Sequence, residues 1–171
     1  ALLASCSESE LWQNPQTEAR DGYIMLNFKT EIPAMQEVVT RAVDPDGGGV
    51  QDMTLFCFDS YGLFISTVKA GVTVQKPGPG EMEGTFKAEV PENTRTIHFL
   101  ANQNMDEFKE DSFRNKSESE VMAVLEGSSG RMIYWGRFAC DAGNDSNIAE
   151  QMATSGNSVK LIRNHARISV D

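Results

Sequence analysis

Residues 22–31 read GYIMLNFKTE, and this stretch decides the fold class. Ile24, Leu26 and Phe28 fall on one face of an extended chain, and the residues between them fall on the other face. Such an alternation is typical of a half-buried β-strand. Pro33 then ends the strand, because proline cannot donate to a sheet ladder. The sequence therefore predicts an isolated N-terminal strand.

Further strands and turns follow along the chain. Apolar residues crowd positions 50–58, the turn DSYG occupies positions 59–62, and residues 63–68 complete a β-hairpin. Residues 76–80 read KPGPG and predict a loop, because this stretch can sustain neither a helix nor a sheet ladder. Alternation and β-branched or aromatic content predict the remaining strands, at residues 85–90, 96–102, 132–138 and 159–170.

Helix is predicted only in the region 105–127. Ser117 and Glu120 have the spacing of a capping box, an apolar face follows, and Gly127 suits the position just after a helix. A polar loop is predicted between the last two strands. Strands separated by turn signals, with one or two short helices inserted around residues 105–127, predict a mainly β protein with a β-sandwich fold.

The composition indicates one globular domain with an acidic surface. The chain has 171 residues, of which 40% are hydrophobic and 23% charged, which suffices for a sizeable core. It carries 25 Asp and Glu against 15 Lys and Arg, a formal net charge of -10. Because this charge repels phosphate backbones, we expect no nucleic-acid partner.

The first ten residues resemble the processing site of a bacterial lipoprotein. Leu3-Ala4-Ser5-Cys6 matches the lipobox, which makes Cys6 the predicted lipidation site. The acidic cluster Ser7-Glu8-Ser9-Glu10 resembles an export signal to the outer face of the outer membrane. Residues 1–21 are interpreted as a lipobox remnant and linker, and residues 22–171 as the β-sandwich domain. The alternative is an acidic N-terminus with a chance cysteine.

No residue pattern predicts catalysis. His98 and His165 each lie in an apolar strand, where a hydrogen-bonded structural imidazole is the ordinary outcome. Cys57 lies in an apolar run without a neighbouring cation that would lower its thiol pKa. Whether Cys57 pairs with Cys140 in a disulfide stays open. We expect a protein that is not an enzyme and that uses no cofactor.

Two polar loops supply oxygen atoms without completing a metal site. Asp44-Pro45-Asp46-Gly47 resembles the start of a calcium loop but lacks the third oxygen ligand and the distal bidentate glutamate. Asp141, Asn144 and Asp145 lie in the second loop, and polar loops of this kind are common without a metal. We expect no metal ion.

Several segments together resemble one protein family. A lipobox, an isolated strand and an Arg-containing loop precede the run MTLFCFDSYGL at residues 53–63. Ala101-Asn102 ends a strand, and residues 161–170 read LIRNHARISV, with an LxRxxAR pattern. This arrangement resembles the N-terminal domain of the Bacteroidetes fimbrillins, the family of type V pilus subunits. The resemblance implies a transthyretin-like, Greek-key β-sandwich.

The resemblance also implies assembly by strand exchange. Subunits of this family travel as lipoproteins, an Arg-specific protease removes lipid and first strand together, and a segment of a neighbouring subunit fills the groove by strand addition. On this chain the Arg41-Ala42 bond is then the cleavage site. The displaceable strand spans residues 22–31, and its groove-facing side chains are Ile24, Leu26 and Phe28.

Alternatives to this interpretation stay open. Arg41 is otherwise an ordinary solvated loop charge, and Arg20 is a competing cleavage residue, although a cut there leaves the strand attached. Family subunits usually carry a second sandwich domain, and this sequence ends at Asp171, where that domain would begin; we expect it to be absent from this chain.

The implied partners are other fimbrial subunits, a host surface protein or glycan, and a lipid anchor before processing. The implied location is the outer-membrane surface or the fimbrium. The alternative function is an outer-membrane surface lipoprotein that binds glycan or protein without polymerising. That alternative predicts an exposed aromatic side chain in a shallow cleft, from among Trp12, Tyr61, Tyr134 and Trp135.

Overall fold

The computed structural model describes residues 19–31, 50, 52–78, 81–125 and 133–163. Within these residues the chain forms a mainly β fold, a β-sandwich. Its strands are β1 (Tyr23–Glu31), β2 (Met53–Phe58), β3 (Phe64–Lys69), β4 (Gly71–Gly78), β5 (Glu81–Pro91), β6 (Thr96–Ala101), β7 (Tyr134–Ala139), β8 (Ser158–Lys160) and β9 (Ile162–Arg163). The helices are α1 (Glu118–Leu125) and α2 (Ile148–Thr154), with two 3₁₀ turns at Met105–Glu107 and Glu110–Phe113.

The strands form two sheets. The β1 sheet has the order β4-β5-β1-β8, and the β2 sheet has the order β3-β2-β6-β7-β9. On one side β3 continues through Ala70 into β4, and on the other side β8 continues through Leu161 into β9. Each of these extended segments therefore passes from one sheet to the other and joins the two layers at a side of the sandwich.

The core lies between the two sheets. The β1 sheet contributes alternate side chains, such as Leu26 and Phe86, while the β2 sheet contributes Leu55, Ile97 and Phe99. Val90 and Cys57 are buried in the same cluster. Since alternate residues of a strand face opposite sides, this cluster accounts for half of each strand.

A second apolar layer covers the outer face of the β2 sheet. Phe56, Phe58 and Leu100 project outward from β2 and β6 and pack against Phe113 and Val121 of the helical region. All six residues of β2 and all six of β6 are buried as a result. Most residues of these two strands are apolar because both faces of each strand are covered.

Much of the sequence prediction is confirmed. The strand at residues 22–31 and its inward face appear as β1, and residues 53–69 form the predicted hairpin. The hairpin turn is closed by the Asp59 carboxylate, which accepts hydrogen bonds from the N–H groups of Tyr61 at 2.8 Å and Leu63 at 3.0 Å. The helical insertion is also present, and the Ser117 N–H donates to the Glu120 carboxylate at 2.8 Å as in a capping box.

Three predictions of local structure were wrong. The loop expected from residue 76 is strand up to Gly78, because β4 pairs with β5 along the hairpin. The polar loop after β7 contains the unpredicted helix α2, whose first turn is capped by the Asn147 side chain. The last strand is interrupted at Leu161, where the chain changes sheets.

Gly136 of β7 makes the second crossing possible. A Cβ atom at this position would lie 2.8 Å from the Val159 side chain, 2.9 Å from the Leu161 side chain and 2.9 Å from the Lys160 carbonyl oxygen. These distances are shorter than van der Waals contact, so only glycine lets the segment pass this close to β7.

We expect Gly136→Ala to lower the free energy of unfolding by about 1–3 kcal/mol, because the methyl group needs space that the crossing segment occupies. Chemical denaturation measures the loss. Gly71→Ala is the matched control, since its Cβ would meet only the Lys87 carbonyl oxygen at 3.8 Å. The control should change stability by no more than about 0.5 kcal/mol. Equal losses in both variants would contradict a specific requirement at Gly136.

Candidate functional site

The candidate site is the groove that holds β1. Ile24, Leu26 and Phe28 are 8%, 1% and 1% exposed. The Phe28 ring stacks on Phe86 of the neighbouring strand, with 5.5 Å between ring centroids, and meets the edge of Phe99 in the opposite sheet at 5.0 Å. Phe28 therefore joins the two sheets through aromatic contacts, which prefer such offset and edge-to-face geometry.

The backbone of β1 is held unequally along its length. One edge pairs with β5 over eight residues, from Tyr23 opposite Pro91 to Thr30 opposite Gly84. The other edge pairs with β8 only over the last three residues of β1. At that end the Lys29 N–H donates to the Asn157 carbonyl oxygen at 2.7 Å.

The opposite end of β1 borders an open cleft of about 530 Å³. The cleft lies between the start of β1, the turn after β5 and the start of α2. Its lining residues are Tyr23, Ile24, Glu92, Asn93 and Asn147. Within the described residues, β1 is thus covered on both edges at its C-terminal end and on one edge at its N-terminal end.

Arg20, the competing cleavage residue, is bound where it precedes β1. Its backbone N–H and its Nε donate to the two carboxylate oxygens of Glu89 at 2.6 and 2.8 Å, and its guanidinium carbon lies 4.2 Å from the centre of the Tyr23 ring. The backbone hydrogen bond and then the guanidinium lower the pKa of the Glu89 carboxyl. The Arg20-Asp21 bond itself lies in a turn closed by the Tyr23 N–H and the Arg20 carbonyl oxygen at 3.0 Å.

Several sequence-predicted residues lie outside the described residues. These include the lipidation site and both sides of the proposed cleavage bond. They also include the second histidine, the calcium-like loop and one tryptophan. The residues are Cys6, Arg41, Ala42, His165, Asp44, Asp46 and Trp12.

His98 is the buried member of a polar network on the outer face of the β2 sheet. The indole N–H of Trp135 donates to His98 Nδ1 at 2.8 Å, and His98 Nε2 lies 2.6 Å from a Glu118 carboxylate oxygen. Because Nδ1 accepts, the proton of the neutral ring is on Nε2 and is donated to Glu118. Arg137 donates to the same carboxylate at 2.5 Å. Both imidazole nitrogens are therefore engaged by protein groups.

The charges in this network follow from its contacts. Burial lowers the pKa of His98 below its usual range, against the opposing effect of the Glu118 hydrogen bond. The Arg137 hydrogen bond lowers the pKa of Glu118, and Glu118 in turn raises the pKa of Arg137. A neutral histidine thus bridges Trp135 of β7 to an ion pair, and Glu118 holds the first turn of α1 on the sheet.

The two described cysteines are free thiols. Cys57 is fully buried in the core, and burial raises the pKa of its thiol to about 12. Cys140 is partly buried, and burial raises its thiol pKa as well. The thiolate is the nucleophilic form of cysteine, and a raised pKa leaves less of it at neutral pH. Neither side chain therefore has the low pKa of a cysteine nucleophile.

In the polar loop after β7, several backbone oxygen atoms accept from protein donors. The Arg95 guanidinium donates to the carbonyl oxygens of Asn144 at 2.5 Å and Ser146 at 2.8 Å. The Gln151 side chain donates to Ser146 at 2.9 Å and accepts from the Asp141 N–H at 2.8 Å. A guanidinium therefore satisfies two of the loop carbonyls, those of Asn144 and Ser146. Among the described residues, no three His, Cys, Asp or Glu side chains form a group that could hold a metal ion.

The aromatic residues considered for ligand contact differ in exposure. Tyr134 is buried in the core, and Trp135 is half-buried and stacks on His98 with 5.7 Å between ring centroids. Tyr61 is 87% exposed at the tip of the β2–β3 turn. A cleft of about 290 Å³ lies at the other end of this hairpin, beside the start of β2 and the end of β3. It is lined mainly by polar residues, among them Asp52, Lys69 and Gln103.

Sequence reasoning missed the partners in these contacts. Glu118 lies in the run Ser117-Glu118-Ser119-Glu120, whose spacing predicts a capping box. Nothing in the local sequence indicates that Glu118 contacts a histidine 20 positions earlier. Glu89 lies 69 residues from Arg20. Such pairs are created by the sheet register, so no local pattern could have identified them.

No protein-family model, curated protein or solved structure matches this chain. In the part of the chain that the structure describes, neither helix is long and apolar enough to cross a membrane.

We expect Leu26→Asp to lower the free energy of unfolding by at least about 3 kcal/mol, because it removes a buried side chain and places a carboxyl in the core. Thermal and chemical denaturation measure the change. Asn27→Asp introduces the same group on the adjacent exposed position and is the matched control, with an expected change within about 0.5 kcal/mol. An unchanged melting temperature in Leu26→Asp would contradict a groove-bound strand.

The His98 network predicts a stability loss in mild acid. Because the pKa of His98 is lower in the folded than in the unfolded protein, the unfolded state binds the proton more strongly. The stabilisation is complete above the unfolded pKa of about 6.5 and is lost as pH falls through the folded pKa. A second loss, from Glu118, follows below its unfolded value of about 4.5.

His98→Asn tests this prediction. The asparagine oxygen can still accept from Trp135, but the side chain does not titrate. Denaturation at a series of pH values should give a shallower slope just below about pH 6.5 in the variant, while His165 contributes equally to both proteins. Parallel slopes in the two proteins would show that His98 does not titrate on unfolding.

Proposed function

We propose that this chain is a structural subunit of a cell-surface fimbria of the fimbrillin type. In this proposal it is exported as a lipoprotein, loses its first strand to an Arg-specific protease and joins other subunits by donor-strand addition. The observation that carries the proposal is the buried position of β1, whose three inward-facing apolar side chains occupy a groove between the sheets. A first strand of this kind can be replaced by a strand from another chain.

Loss of β1 would leave a groove that needs a new occupant. Phe86 and Phe99 would lose their contacts with Phe28, and eight residues of β5 would lose their pairing partners in β1. Exposed apolar surface and unpaired backbone groups along a strand edge favour addition of another strand. At about 1.5–3 kcal/mol for each buried side chain, Ile24, Leu26 and Phe28 provide a substantial driving force for refilling.

The environment of Arg20 supports Arg41 as the cleavage residue. A protease must pull an extended chain and a free arginine side chain into its cleft. The Arg20 side chain is bound by Glu89 and Tyr23, and the Arg20-Asp21 bond lies within a hydrogen-bonded turn. Cleavage at Arg20 therefore requires local opening, and a cut after Arg41 would separate β1 from the rest of the sandwich.

A second candidate function rests on Tyr61. This side chain is 87% exposed, and the Asp59 carboxylate and Gly62, with φ +73°, hold the turn that presents it. A rigidly presented tyrosine is a common contact residue in binding surfaces. In this alternative the chain is a surface lipoprotein that binds glycan or protein without polymerising.

Digestion with an Arg-specific protease tests the proposal. We expect one main cut after Arg41, release of residues 1–41 and the appearance of oligomers. Intact-mass analysis and size exclusion with light scattering measure these changes. The matched control Arg41→Lys should stay intact and monomeric, and Arg20→Lys should behave as the wild type. A synthetic peptide of residues 22–31 should return the cleaved protein to monomers, whereas the same peptide with Leu26→Asp should not.

Two outcomes would contradict the proposal. A cut after Arg41 that yields a stable monomer, with β1 retained under native conditions, would favour the permanently folded lipoprotein. Resistance of Arg41 together with cleavage after Arg20 would rule out the assigned processing site. In either case, weaker binding by Tyr61→Ala to an immobilised glycan or protein panel would then support the second candidate.

A further inference from the structure

Strand β3 is an outer strand of the β2 sheet, and one end of its outer edge is paired with the segment before α1. The Phe64 N–H donates to the Lys116 carbonyl oxygen at 2.9 Å, and the Glu118 N–H donates to the Gly62 carbonyl oxygen at 3.0 Å. Leu63 and Ser117 form an antiparallel bridge between these hydrogen bonds. The chain at 116–118 thus covers the first residues of the edge as a short extra strand.

Among the described residues, this backbone cover ends before the middle of β3. Residues 110–113 form a 3₁₀ turn rather than an extended strand, so they cannot continue the ladder. In the middle of β3 the hydrogen-bond acceptor is instead the Glu110 carboxylate, one oxygen of which accepts from the Thr67 N–H at 3.0 Å. Glu110 is exposed, and its carboxylate occupies the position that a carbonyl oxygen of an added strand would take.

We propose that Glu110 blocks the β3 edge against strand addition by a second copy of this chain. The segment 65–69 reads ISTVK, and its β-branched residues favour strand pairing. In an antiparallel pair about a two-fold axis, Ile65 would lie opposite Lys69, and the Thr67 N–H would donate to the Thr67 carbonyl oxygen of the partner subunit. Both Glu110 carboxylates would then be displaced and brought together near the axis.

The charges of the protein fit this role. Two carboxylates near one axis repel each other, and the chain carries a net charge of -10 that adds to the repulsion. Lys69, which is exposed at the far end of β3, places a charge on the same edge. Charged side chains on outer strands are a common protection against edge-to-edge association. This block does not depend on the fimbrial proposal, since β3 and β1 belong to different sheets.

The test compares Glu110→Ala with Glu110→Gln. Glutamine keeps an oxygen that can accept the Thr67 N–H, whereas alanine removes the acceptor. Glu107→Ala is the charge-matched control, because Glu107 is exposed and its carboxylate accepts from the Asn104 side chain. Sedimentation velocity at millimolar protein and high salt measures association, and amide exchange by NMR measures the Thr67 N–H. The salt weakens the repulsion that the net charge provides.

We expect Glu110→Ala to form dimers while the wild type, Glu110→Gln and Glu107→Ala stay monomeric. In dilute monomeric samples, the Thr67 amide of Glu110→Ala should exchange at least about tenfold faster than in the wild type. A Glu110→Ala protein that remains monomeric at millimolar concentration would overturn the proposal. Equal association of Glu110→Ala and Glu107→Ala would also overturn it, because net charge and not the blocked edge would then control association.

Discussion

The contact of Phe28 with Phe86 and Phe99 is the interaction on which the sandwich most depends. It joins the first strand of the chain to its neighbour in one sheet and to a central strand of the other sheet. Phe28 lies on β1, which within the described residues is paired over eight of its nine residues on one edge and over three on the other. Within the described residues, the strand that closes the core is thus also one with part of an edge unpaired, and an unpaired strand edge is a place where another strand can pair.

The outer layer over the β2 sheet explains why the polar residues of this sheet are structural. His98 would be an exposed imidazole if the helical region did not cover it. Under that layer it bridges Trp135 and the Glu118–Arg137 ion pair, and both of its nitrogens are occupied. The buried His98 favours one arrangement of helix on sheet, because an imidazole left without its partners there would carry a cost of desolvation.

The described structure protects its outer strands in two ways. Two extended segments change sheets, at Ala70 and at Leu161, and so join the layers at the sides of the sandwich. The outer edge of β3 is covered by backbone pairing and by the Glu110 carboxylate. These features direct strand addition away from β3. In the proposed assembly, removal of β1 would make the groove of the β1 sheet the place for an incoming strand.

Local sequence determined the strand at residues 22–31, the Asp59 turn and the capped helix at Glu118, because periodicity, turn chemistry and capping act within a few residues. The alternation also determined which side chains of β1 face inward. Only the tertiary structure decided that β4 continues to Gly78, that the chain changes sheets beside Gly136, and that Glu89 and Glu110 bind partners 69 and 43 residues away. Those features depend on sheet register and on contacts between residues distant in the chain, which a one-dimensional pattern does not contain.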